Sequence, residues 1–218
     1  MKTFYTIALL LLTSMGIAQP SQFKYVFEKD GYSYTEIGKA CFDGDYAKVE
    51  KLLKQGADPL EAVTEGTLWF DLIYIAIAQD NYEMLEKLIL KQKQVINKIY
   101  NEEFLTPISM AVFVEDKKLS YKMVKLLLDN GANPDGIDDK NEDDCYWKRE
   151  DITELLSSIV YHPLIAAVLA NNYKVAQLLV DRGSDIQNKN LQKMMLDVTN
   201  NFIERENVEA FIEKNTPK

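Results

Sequence analysis

Apolar residues recur along this chain at helical spacing, in short blocks that match one another. Four stretches, 44–58, 80–89, 120–133 and 171–185, share one layout. A polar cap comes first, then a tyrosine (Tyr46, Tyr82, Tyr121, Tyr173), then an amphipathic helix pattern. Three of them end in Gly56, Gly131 and Gly183, where a helix stopping in the left-handed conformation favours a residue without Cβ. A weaker fifth copy stands at 207–212. Each block follows another predicted helix, over 35–42, over 68–78, or opening at Thr106-Pro107 and His162-Pro163. Proline suits the first helical turn, where its missing N–H leaves no bond unmade. The second helices start at 45, 81, 120 and 172, in steps of 36, 39 and 52. The pattern predicts stacked helix pairs in which each repeat touches only its neighbours.

The openings Thr106-Pro107 to Ala111 and His162-Pro163-Leu164 to Ala167 follow a T-P-L-H-x-A pattern. The turns Gly56-Ala57-Asp58 and Gly131-Ala132-Asn133 add a second signature. On these residues the sequence resembles the ankyrin repeat, over roughly residues 30–215. The resemblance implies an all-α solenoid of helix-turn-helix units that binds other proteins and carries no catalytic machinery. About four repeats plus a degenerate C-terminal cap are expected over 34–218, after an N-terminal extension at 19–33. Two departures carry expectations of their own. Gln92 stands where the second unit should have its glycine, so that turn is longer or gains helix. The third unit has about four extra residues between Met110 and Tyr121, expected to lengthen its first helix.

Residues 1–18 have the layout of a secretory signal. Lys2 supplies the positive start, residues 4–12 the apolar core, and Gly16-Ile17-Ala18 the small-x-small cleavage site. The apolar stretch is short of the roughly 20 residues a spanning helix needs. The mature chain is expected to begin near Gln19 and to be periplasmic or secreted, with no membrane insertion after cleavage. In such an oxidising compartment cysteines matter. Cys41 and Cys145 fall two or three repeats apart, too far to bridge, so both are expected as unpaired thiols.

The formal charge of -9 argues against a nucleic-acid partner, which needs a basic stripe. Much of that charge sits in an insertion at 135–161, which accounts for the long third step. Residues 135–151 alone carry a net charge of -5, with Trp147 as their large aromatic anchor. Within this stretch Asp139, Asn141, Asp143 and Glu150 stand at positions 1, 3, 5 and 12 of a calcium loop. Position 6 is Asp144 rather than the glycine the sharp turn requires, and no entering helix precedes it. A solvated acidic loop is therefore preferred, and no metal or other cofactor is assigned. Catalysis also lacks a constellation. His162 is the single histidine, and it is expected to cap a helix beside Pro163. No nucleophile elbow, zinc helix or phosphate loop is present.

Binding is the better expectation. Stacked repeats would align two rows of residues, Tyr34, Phe70, Leu105, Tyr161 and Phe42, Ala78, Phe113, Leu169. Aromatic residues make good interface anchors because they bury large area at small entropy cost. The alternative for both rows is inter-repeat core. The candidate contacts are therefore Tyr34, Phe42, Phe70, Phe113 and Tyr161, with Asp138, Asp139, Asp143 and Trp147 of the insertion. The partner is expected to be another protein, with a basic surface if the insertion meets it. One alternative is an immunity or inhibitor-type protein that neutralises a basic toxin or enzyme. The other is a calcium-binding protein acting through residues 139–150.

Overall fold

The computed structural model describes residues 25–100, 105–136, 162–197 and 204–216. Among the described residues five helix pairs stack along the chain. They are α1 (Glu36–Phe42) with α2 (Tyr46–Lys54), α3 (Leu72–Ala78) with α4 (Tyr82–Ile89), and α5 (Pro107–Val112) with α6 (Lys117–Asp129). Then follow α7 (Pro163–Leu169) with α8 (Tyr173–Asp181), and α9 (Lys189–Asp197) with α10 (Arg205–Asn215). The first members form an inner layer, α1 against α3, α3 against α5, α5 against α7 and α7 against α9. In the outer layer α4 packs on α6 and α6 on α8.

The sequence dictates the helix starts locally. Thr35, Asp71, Thr106 and His162 cap the first four inner helices, each accepting a bond from a backbone amide of the first turn. Around Thr106 the arrangement is a full capping box with Ser109. Asp45, Asn81 and Asn172 do the same for α2, α4 and α8. The inner helices α3, α5 and α7 bury most of their side chains, and Leu85, Ile108, Leu127, Leu164 and Leu179 are fully enclosed between repeats. Gly56, Gly131 and Gly183 take the left-handed conformation expected of them, with φ of 88°, 100° and 103°.

The fold is not all-α. Strands β1 (Phe27–Lys29), β2 (Tyr32–Tyr34), β3 (Val63–Glu65) and β4 (Leu68–Phe70) form one antiparallel sheet in the order β1-β2-β3-β4. Two hairpins build it. The first turns through Asp30 and Gly31, both at positive φ as a tight two-residue hairpin turn requires. The second turns at Gly66. The hairpins then pair with each other, Tyr34 opposite Val63, so the sheet crosses the boundary between the first two repeats. One face carries Phe27, Tyr34, Val63 and Phe70 in register and lies against α1 and α3. Close approach here needs Gly38, because a Cβ on it would fall 2.0 Å from the Ala62 carbonyl oxygen.

The departures in the second and third units resolve differently. Gln92 leads into a short 3-10 helix, Lys93–Val95, so that turn does gain helical residues. The extra residues of the third unit lengthen its second helix rather than its first. α5 has 6 residues, whereas α6 has 13 against 9 in α2 and α8. Asp116 explains the outcome, since its carboxylate caps the amides of Lys118 and Leu119 and starts the helix four residues early.

Candidate protein-binding face

The two rows expected from the sequence separate in space. Tyr34 and Phe70, from the first row, are core residues with 8% and 3% of their surface exposed. The hairpins fold over them. Phe70 stacks on Tyr74 with centroids 4.2 Å apart, and Tyr34 meets Phe42 edge-on at 5.3 Å. This corrects their assignment as contact residues, because a side chain enclosed by its own sheet and helices has no area to offer. Leu105 is half-buried and Tyr161 lies outside the described residues.

The second row comes to the surface. Phe42, Ala78 and Leu169 end α1, α3 and α7, and Phe113 is the residue that closes α5. Phe113 is 41% exposed, Ala78 is exposed, and Leu169 is half-buried. Phe42 is half-buried between Phe27 and Tyr34, and the Lys29 ammonium sits 4.9 Å from its ring centre. Beside Phe113 and Leu169, a cleft of about 330 Å³ opens between the third and fourth repeats. The row thus marks one edge of the inner layer, and its most apolar exposed point is Phe113.

His162 is buried and caps α7 through Nδ1, which accepts the Leu164 amide at 3.2 Å. Its proton therefore sits on Nε2, which faces Asp135 Oδ1 at 3.6 Å. Burial drives its pKa down to about 3, against the smaller pull of Asp185, so the ring is neutral at physiological pH. Asp135 also accepts the Ser184 hydroxyl at 2.5 Å. A Cβ placed on Gly136 would lie 3.1 Å from Pro163. The chain therefore leaves the repeat at Asp135-Gly136 and rejoins it at His162-Pro163, at neighbouring points. The insertion residues Asp138, Asp139, Asn141, Asp143, Trp147 and Glu150, with Cys145, lie outside the described residues.

Sequence reasoning missed a polar network inside the aromatic cluster. Asp71 is fully buried, caps α3 through the Tyr74 amide at 3.0 Å and accepts the Tyr100 hydroxyl at 3.0 Å. Lys98 stands 3.6 Å from its other oxygen. Burial raises the Asp71 carboxyl above its ordinary range, although the Tyr74 amide, Lys98 and Tyr100 pull the other way. The available signal was Asp71 at the capping position held by Thr35 and Thr106 in the neighbouring units. Cys41, close by and fully buried, donates weakly to the Leu72 carbonyl, and burial pushes its thiol up to about 12. Such a thiol packs as a small hydrophobe and is not a nucleophile. Among the described residues no cluster of His, Cys, Asp or Glu is placed to hold a metal ion. No helix of the described residues is long and apolar enough to cross a membrane.

A family model for ankyrin repeats, in three copies, matches residues 73–190, over half of the chain. The chain belongs to the ankyrin-repeat family. Among curated proteins none matches the sequence. A crystal structure of the human ASB11 ankyrin repeat domain is similar at 22% identity, covering 98% of this chain and 94% of that one, with a TM-score of 0.43. Ankyrin repeats are interaction scaffolds. In this ankyrin chain the hairpins that precede the first two inner helices are long enough to pair into a sheet, and in sequence the insertion stands before α7.

Proposed function

We propose that this is an exported, non-catalytic ankyrin-repeat protein whose partner is another protein, met along the edge formed by Phe42, Ala78, Phe113 and Leu169. The observation that carries the reading is the recurrence of this row at the ends of four successive inner helices, with Phe113 41% exposed beside a cleft. An aromatic side chain at the rim of a concavity is the kind of anchor that dominates binding energy. Export rests on the signal layout of residues 1–18. The test replaces Phe113 by a photo-crosslinking aromatic residue in the full-length chain. The signal is cleaved near Ala18, and a discrete crosslinked product forms in the envelope or secreted fraction. A crosslinker at exposed Lys93 gives none. Equal crosslinking from both positions, or recovery of the chain in the cytosol with Met1 intact, rejects the reading.

A second reading, an inhibitor of a basic toxin or enzyme, is favoured by the stem of the insertion. Asp135 is held by Ser184 and faces His162, so the residues that flank the insertion are fixed to one another in the fold. A segment carrying -5 over residues 135–151 then meets a basic surface at a set position relative to the Phe113 edge.

A further inference from the structure

Between the N-terminal halves of α6 and α8 the outer layer opens into a groove of about 1020 Å³. It adjoins the Phe113 cleft, with which it shares Lys117 and Asn172, and its cause is the early start of α6. The residues that precede Tyr121 in the helix bring Lys117 and Lys118 beside the start of α8. Lys122, one turn on, and Lys174 of α8 face the same space. Tyr121, Tyr173 and Leu178 form its apolar walls.

What sets this groove apart is that four lysines, Lys117, Lys118, Lys122 and Lys174, line one concavity. Lys39, Lys48, Lys54, Lys91, Lys98 and Lys125 each lie within 4 Å of a carboxylate. Among the described residues Lys118, Lys122 and Lys174 have no such carboxylate. Lys117 donates to the Asn171 carbonyl at 2.8 Å. Asp181 is the one carboxylate in the lining. The first turn of α6 has no acidic residue, and two lysines there run against the helix dipole, which favours negative charge at that end. A chain of net charge -9 thus gathers four lysines over apolar walls, with Asp116, which feels the charges of Lys118 and Lys122, and Asp181 as the nearby carboxylates.

We propose that this groove docks an acidic amphipathic helix of a partner protein. The apolar face of such a helix would cover Tyr121 and Leu178, and carboxylates along its flanks would meet the lysines. Spacing favours an extended acidic partner over a single phosphate. Lys117 and Lys122 are separated by about 7.5 Å of helix rise, and Lys174 stands on the other wall. A sugar–phosphate chain would leave the apolar walls without a use. Lys118, Lys122 and Lys174 line this groove and not the Phe113 cleft, so variants at Lys118 and Lys122 separate the proposal from the Phe113 reading.

The test uses the full-length chain and a fluorescein-labelled amphipathic helical peptide of about 16 residues, with leucines on one face and glutamates on the other. A lysine-for-glutamate twin and a thymidine oligonucleotide serve as competing ligands. The acidic peptide binds saturably and weakens steeply as salt rises from about 50 to about 300 mM. Lys118→Glu with Lys122→Glu weakens binding about tenfold or more at unchanged melting temperature. Lys51→Glu with Lys93→Glu, the same charge change elsewhere on the surface, weakens it less than threefold, at about 0.6 kcal/mol. The proposal is overturned by equal loss in both double variants, by equal binding of the basic twin, or by tighter binding of the oligonucleotide. It is also overturned if the groove proves to be covered by a second copy, seen as a dimer that Lys118→Glu with Lys122→Glu dissolves.

Discussion

The Tyr100 hydroxyl donates to the Asp71 carboxylate across 3.0 Å inside the core, joining the segment that follows α4 to the cap of α3. Both side chains are buried, so each has the other in place of water. Removing one leaves the other's polar atom stranded, at a cost of about 1–3 kcal/mol. Asp71→Ala also loses the helix cap and is expected to destabilise by about 2–4 kcal/mol in denaturant unfolding. Asp71→Asn keeps both bonds and removes the buried charge. The Asp71 carboxyl is raised by burial, so its favourable contribution is complete at acid pH and fades as pH climbs through the raised value. Asp71→Asn should therefore gain relative to the wild type between pH 4 and 7. A relative stability that is flat or falls across that range contradicts the assignment.

His162 titrates in the opposite sense. Its folded pKa of about 3 lies below the ordinary histidine value, so stability is complete above about 6.5 and falls as the solution is acidified toward 3. The slope is about 1.4 kcal/mol per pH unit while only the unfolded chain is protonated. His162→Thr supplies the cap that Thr106 gives in the preceding unit and removes the titration. Whatever it costs in packing, its stability loss from pH 7 to pH 5 should be smaller than the wild type's by about 2 kcal/mol. Asp71 is common to both proteins and cancels. Parallel pH profiles would mean that the imidazole is not held neutral.

The helix pairs were legible because caps, tyrosines and terminal glycines repeat at fixed offsets, and each has a local physical reason. His162 was legible for the same reason, standing where a cap was required. The sheet was not. Strands of three residues are too short to show a period of two, and Tyr34 pairs with Val63 of the next hairpin across a helix pair that the pattern cannot fold. Burial of Tyr34 and Phe70 follows from that sheet, so the misreading of these two residues has the same origin. The extra turn of α6 was half legible. Gly44, Asp80 and Asn171 take positive φ at the turn between inner and outer helices in three repeats. The third has Val114-Glu115-Asp116 there, and Asp116 as a cap was the sign that the second helix, not the first, takes up the surplus.

Stacking makes a quantitative demand on the core. Leu127 of α6 and Leu179 of α8 are both fully buried. Truncation to alanine leaves a cavity between repeats and should cost about 2–5 kcal/mol at each site. Glu83→Ala, on the exposed side of α4, should stay within about 0.5 kcal/mol. Similar small changes at all three positions would be incompatible with a continuous core.

The acidic insertion should govern association more than stability. A net charge of -5 over residues 135–151 sets up a field that steers a basic partner, and at physiological salt that field is screened beyond about 8 Å. Asp138→Asn, Asp139→Asn and Asp143→Asn together relieve like-charge repulsion, so the melting temperature should hold or rise slightly. Association with a basic partner should slow and become less sensitive to salt, because steering acts on the on-rate. Trp147→Ala should instead speed dissociation, as loss of an anchor does. Calcium offers a competing outcome that the same proteins decide. If Asp139, Asn141, Asp143 and Glu150 hold the ion, added calcium raises the melting temperature of the wild type and leaves the triple variant unchanged. If calcium changes neither protein, and the triple variant associates at the wild-type rate with the wild-type salt slope, the insertion contributes no binding. Recognition must then rest on the Phe113 edge and the lysine groove.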